Sequence, residues 1–184
     1  MTREDLRQPT PINASGRIDK TFLAYAEDAF QIEINFEDSP VMGQFYEVVE
    51  RQINGGESGI EILGIVKQAI RGHFGIGPGN PYGRASLSRT LIPECLDDLF
   101  VCRATCLHVS LIGAVILERL AEKGCLKGKP VLGFFPGDRS SHWWIEVLNE
   151  ESDDLVLDVT NDFVGTIAVF RKKVLDDIVD EIFY

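Results

Sequence analysis

"CLHVSLIGAVILERLAEKG", residues 106–124, is the stretch that decides the fold. Apolar residues surround nearly the whole of its first three turns, which predicts a helix buried at the centre of the molecule. Thr105 supplies an N-cap hydroxyl, and Glu118 to Lys123 followed by Gly124 makes a stop. Gly113 and Ala114 thin the helix midway and allow another element to approach closely. Downstream come "KPVLGFF" (129–135), "HWWIEVL" (142–148) and "DLVLDVT" (154–160), three short β-rich runs separated by turn residues. "TIAVF" (166–170) reads as a fourth strand and "RKKVLDDIVDEIF" (171–183) as a closing helix.

Upstream, "GIEILGIVKQAIRGHF" (59–74) has its apolar stripe at Ile62, Ile65, Val66, Ala69 and Ile70, the spacing of an amphipathic helix that ends near His73. "MGQFYEVVERQI" (42–53) is a further helix, stopped by "NGGESG". "DKTFLAYAEDAF" (19–30) is helically spaced, and "QIEINF" (31–36) alternates like a short strand. Residues 1 to about 17 read as a flexible arm, and "GIGPGNPYGRASLS" (75–88) as a long loop of the kind that often carries function. Helices first and strands later predict an α+β domain, an antiparallel sheet packed on the Cys106 helix. One domain spans 1–184, with 1–56 a helical N-terminal extension and 57–184 the core.

Composition narrows the function classes. A chain of 184 residues that is 45% hydrophobic, with mean hydropathy +0.01, suits one soluble globule. A net charge of −11 argues against a nucleic-acid surface, which needs clustered Lys and Arg. "MTREDLRQPTPINASG" lacks the apolar core of an export signal, and the longest apolar run is too short and too punctuated to span a bilayer. The four cysteines (Cys95, Cys102, Cys106 and Cys125) are unevenly spaced, so the expectation is a reduced cytoplasmic protein without a disulfide framework.

His142 is one of three histidines and adjoins the only two tryptophans, Trp143 and Trp144. If "HWWIEVL" and "DLVLDVT" form a hairpin whose loop is Asn149 to Glu151, Leu148 pairs with Ser152 and His142 falls opposite Asp158, with Cβ atoms about 5 Å apart. A slip of two residues keeps both on one face; a slip of one separates them. His142 then shares a face with Trp144 and Glu146, while Trp143, Ile145 and Val147 face the other way. A carboxylate beside an imidazole fixes its tautomer and stabilises its cation. Cys106, at the predicted N-terminus of the buried helix, stands where backbone N–H groups and the helix dipole favour a thiolate. Cysteine, histidine and carboxylate thus suit nucleophilic catalysis.

Other residues compete for these roles. Cys102 is a second nucleophile candidate if the helix begins a turn sooner, and Asp162 the next carboxylate after Asp158. His108 points away from the Cys106 thiol on a helix. No second CxxC or HxxxH joins Cys102, Cys106 and His108, so no metal is expected. The glycines of "GIGPG" make neither GxGxxG nor a P-loop.

In their order, "EILGIVKQAIRGHF", the loop, "TCLHVSLIGAVILERL", "KPVLGFF", "SHWWIEV" and "LVLDVT" resemble the transglutaminase-like superfamily of cysteine enzymes over residues 57–162. That resemblance implies a papain-like core and a Cys106, His142 and Asp158 triad without cofactor. It implies attack on an amide or peptide bond of a protein or peptide substrate through a thioester. Hydrolysis is the default outcome, transamidation or other acyl transfer the alternative, and a silent binding module the reading from another class. The Cys106 N–H is one expected oxyanion donor and Asn80 a candidate for another, while Trp143 and Trp144 are expected to be core and cleft wall, one of them lining an acyl-substrate groove.

Overall fold

The structure is a computed structural model that describes residues 10–11, 36, 39–77, 97–100, 105–135 and 142–172. The helix expected over 19–30, nearly all of the strand expected over 31–36 and most of the closing helix lie outside these residues. So do Asn80, Cys95 and Cys102.

Helix α1 is Pro40–Glu50, α2 Gly59–Phe74 and α3 Cys106–Glu122. A two-residue strand β1 (Thr10–Pro11) is followed in the sheet by β2 (Lys129–Phe135), β3 (His142–Leu148), β4 (Leu155–Asp158) and β5 (Phe163–Thr166). The five strands lie side by side in chain order, every pairing antiparallel, so the molecule is α+β. β1 corrects part of the flexible-arm expectation, because Thr10 and Pro11 pair with Leu132 and Val131. Proline is tolerated there because an edge strand can leave its N–H side unpaired.

Helix α3 is buried nearly all round from Leu107 to Leu117, as its sequence demands. It lies on the sheet face formed by Leu132, Ile145, Val147, Leu157 and Val159, and α2 adds Ile62, Val66 and Ile70 to the same core. Each such side chain withdrawn from water contributes about 1.5–3 kcal/mol. Gly113 is where three elements meet: a Cβ there would lie 2.6 Å from Ile145 Cδ1 on β3 and 3.2 Å from Ile70 Cδ1 on α2. Ser110 bridges helix and sheet, its hydroxyl donating to the Trp143 carbonyl at 3.1 Å. A capping box opens α2, with Ser58 Oγ accepting from the Glu61 N–H and Glu61 accepting from the Ser58 N–H at 2.7 Å. At α1 the cap is distant in sequence: Asp97 Oδ1 accepts from the Met42 N–H at 3.0 Å.

Two expectations about the strands change. "TIAVF" is not the fourth strand; β5 is "FVGT", and Ile167–Phe170 turns into a short helix, α4. The reason is that Asp162, at φ 55, reverses the chain early, so that Phe163 already pairs with Asp158. At the other end β4 begins at Leu155, opposite Thr166, and Ile167 N–H donates instead to the Asp154 carbonyl at 3.0 Å. The hairpin register also differs: Val147 pairs with Leu155 and Ile145 with Leu157, a slip of two from the expected one. Asn149 N–H donates to Asp154 Oδ1 at 2.9 Å and Asn149 Nδ2 to the Asp153 carbonyl at 3.1 Å, which holds a longer loop. An even slip preserves the faces, so Asp158 stays on the His142 side. Among the described residues no helix is long and apolar enough to cross a membrane.

Candidate active site

His142 is the first residue of β3 and Asp158 the last of β4, so the slipped register brings them together diagonally. His142 Nε2 lies 2.7 Å from Asp158 Oδ2. The Asp158 side chain is entirely buried, and both oxygens are satisfied. Oδ1 accepts from the Thr160 hydroxyl at 2.9 Å and the Asn161 N–H at 3.1 Å, while Oδ2 also accepts from Asn161 Nδ2 at 2.9 Å. A charge can stay buried only when it is bonded in this way. The Asn161 amide is 3.2 Å from His142 Nε2 as well, so it closes over the His142–Asp158 contact from the turn.

Cys106 begins α3 behind Thr105, whose side chain accepts from the His108 N–H as the N-cap. The cysteine is half-buried, and its side chain hydrogen-bonds His142. Because Nε2 serves Asp158, Nδ1 is the ring nitrogen left to face the thiol.

Burial by itself disfavours the His142 cation. The attraction of the Asp158 carboxylate, the hydrogen bond to it and the contact with Cys106 outweigh burial and raise the pKa from 6.5 to about 10. Burial likewise opposes the Asp158 anion, but attraction to His142 and the hydrogen bonds from His142 and Asn161 hold its carboxyl below 3.8. The pair is therefore imidazolium and carboxylate at neutral pH.

Trp144 stacks on this cation, ring centroids 5.9 Å apart at 28°. Its indole fits over β2 because residue 133, directly across the ladder, is glycine; a Cβ at Gly133 would collide with Trp144 Nε1. That Nε1–H donates to Glu146 Oε1 at 2.7 Å, and Phe170 packs against the indole at 5.2 Å. Trp143 points into the core of the opposite face. Both tryptophans are buried, at 2% and 1% exposure, so the core part of the expectation holds and the cleft-wall part does not: Trp143 is core on one side and Trp144 a backing for His142 on the other.

His108 is buried and separate from this pair, its Nδ1 2.6 Å from Thr105 Oγ1; burial lowers its pKa to about 4 and keeps it neutral. His73 falls in the last turn of α2, within 5.4 Å of the ring of Phe45, 4.8 Å of Phe74 and 5.3 Å of Phe100. Asp162 pairs with α2, 2.8 Å from Lys67 Nζ and 3.5 Å from Arg71 Nη2. Among the described residues no group of His, Cys, Asp and Glu could hold a metal ion.

Sequence reasoning overlooked Thr160, Asn161 and Arg71. The first two had a local signal, because "DVTN" is the pattern in which an aspartate accepts from groups two and three residues on. Arg71 had none, since its contact to the Val159 carbonyl spans 88 residues. Compared with protein-family models, curated proteins and solved structures, the chain matches none.

Proposed function

We propose that this protein is a cysteine-dependent acyl-transfer enzyme of the papain-like, transglutaminase-like kind, cleaving an amide or peptide bond through a thioester. The observation that carries the reading is a single imidazole shared between a buried carboxylate at 2.7 Å and a half-buried cysteine at a helix N-terminus. A cationic His142 is the natural charge partner of a Cys106 thiolate.

In the first half-reaction Cys106 Sγ bonds to the carbonyl carbon and the carbonyl electron pair moves onto oxygen. The N–H groups that open α3, the Cys106 N–H first, stabilise that oxyanion. Collapse breaks the C–N bond; His142 passes its proton to the departing nitrogen and becomes neutral, leaving the thioester. It then takes a proton from water as the water oxygen attacks, and the acid departs with the thiolate and imidazolium restored. Throughout, Asp158 stays ionised and holds the ring. An amine in place of water gives transamidation; hydrolysis needs no second-substrate site and is the reading adopted.

Incubation of a peptide library with wild type and with Cys106→Ala, read by mass spectrometry, tests the reaction. Cleavage, deamidation or cross-linking confined to the wild type is expected. Iodoacetamide at pH 6–7 tests the site itself. Labelling of Cys106 faster than a free thiol, and slowed by His142→Ala, is expected. A rate equal to a free thiol that ignores the histidine would sink the reading.

A further inference from the structure

We infer that Arg71, on α2, is a positioning residue for the His142–Asp158 pair. The inference deepens the acyl-transfer reading and rests on it for its catalytic meaning, although the geometry stands apart from any reaction.

Among the described residues, the turn from Asp158 to Phe163 delivers the contacts to the Asp158 carboxylate other than that from His142. Within it Asp162 sits in the left-handed region at φ 55, a conformation that costs a non-glycine residue about 1 kcal/mol. Arg71 grips this turn at two places. Nη1 donates to the Val159 carbonyl at 2.7 Å, one residue past Asp158, and Nη2 lies 3.5 Å from Asp162 Oδ2, one residue past Asn161. Its two contact points are thus the residues directly after the two that touch His142 Nε2, Asp158 and Asn161.

Only a planar fork serves both points at once; a lysine ammonium at position 71 reaches one. Lys67, a turn earlier on α2, adds a second hold on Asp162 alone, at 2.8 Å. At 9% exposure Arg71 is buried, so its carbonyl contact is not a surface ion pair diluted by solvent. The charged and titratable groups that meet across these contacts are Asp158 from β4, Cys106 from α3 and His142 from β3 at the pair, and Lys67, Arg71 and Asp162 at the turn.

Charge and positioning predict opposite signs, which makes the inference testable. Removing a cation favours nearby cations, so Arg71→Gln acting through charge alone raises the His142 pKa. Acting through position, the same change frees the turn and loosens Asp158 and Asn161. The His142 pKa then falls toward its ordinary value, by about one unit or more.

The experiment is a pH titration of the His142 ring by NMR in full-length wild type, Arg71→Gln, Arg71→Lys and Lys67→Gln. A fall in Arg71→Gln, matched by Arg71→Lys, which retains the charge, is expected. Lys67→Gln, which removes a cation together with its 2.8 Å hold on Asp162, should give a smaller fall where charge alone would give a rise, and it leaves the Arg71 contacts in place if the Arg71 variants do not fold. An unchanged or raised His142 pKa in the variants that fold overturns the inference. Because the readout is a ring titration, it decides on Arg71 whether or not peptide turnover is found.

Discussion

The two faces of the sheet are built by opposite rules. Toward α3, the residues Leu132, Trp143, Ile145, Val147 and Leu157 make a continuous apolar layer that any close-packed set of similar volume would satisfy. On the reverse, the same strands bury a histidine, an indole, Glu146 and Asp158, and nearly every one is bonded to the next. The apolar face is non-directional and holds the fold together. The polar face is directional: its groups are tolerable only in one arrangement, because an unpartnered buried charge costs several kcal/mol. A protein needing only stability has no use for the second face. Its presence is a physical reason to look there for function.

The sharpest way to break this contrast is to remove one charge. Asp158→Ala should cost about 3–5 kcal/mol in chemical denaturation, since it strands a buried imidazolium. Ile145→Val on the other face should cost only about 0.5–1.5 kcal/mol. Equal losses would erase the distinction.

Glycines give the next largest effects. Gly113→Ala inserts a methyl between Ile145 and Ile70, and Gly133→Ala drives one into Trp144; each should cost about 1–3 kcal/mol. Only the Gly133 change should also alter the near-ultraviolet circular dichroism of Trp144 and the His142 titration, which sets the faces apart by signature.

A third test is pH. His142 titrates near 6.5 when unfolded and near 10 when folded, so its contribution is whole below pH 6.5 and is lost as pH rises through about 10. Asp158, held below 3.8, contributes fully above that value and loses its contribution in stronger acid. The stability gap between wild type and His142→Gln should therefore narrow from pH 6.5 to 10; a gap that widens there would contradict the ion pair.

The smallest effect belongs to His108, whose shift has the other sign. Folded His108 refuses a proton down to about pH 4 that the unfolded chain accepts at 6.5, so it erodes stability as pH falls across that interval. His108→Gln should flatten that slope in thermal melts, and an unaltered slope would count against a neutral, buried ring.

The spans of α2, β2 and β3 could be read from the sequence, because 59–74 carries a helical apolar stripe and 129–135 and 142–148 are short β-rich runs set off by turn residues. Register was legible only to within an even slip. Parity is written in the alternation of His142, Trp144 and Glu146, but loop length depends on how Asn149 and Asp154 bond to the loop, which no pattern displays. The helical turn at Ile167–Phe170 was hidden for a similar reason: "TIAVF" is β-prone, and what ends its ladder is the length of β4, a tertiary fact. Trp144 looked suited to a cleft until its neighbour across the ladder, Gly133, made room to bury it. The His142 and Asp158 contact was visible as a chemical pairing, whereas the residues that brace it from α2 lie too far off in sequence to announce themselves.

The stack of Trp144 on His142 gives the protein an optical readout of its own. A protonated imidazole against an indole quenches its fluorescence, and a neutral ring does so far less. Since Trp143, the only other tryptophan, lies across the sheet, emission intensity followed against pH should respond to the charge on His142 without label or substrate.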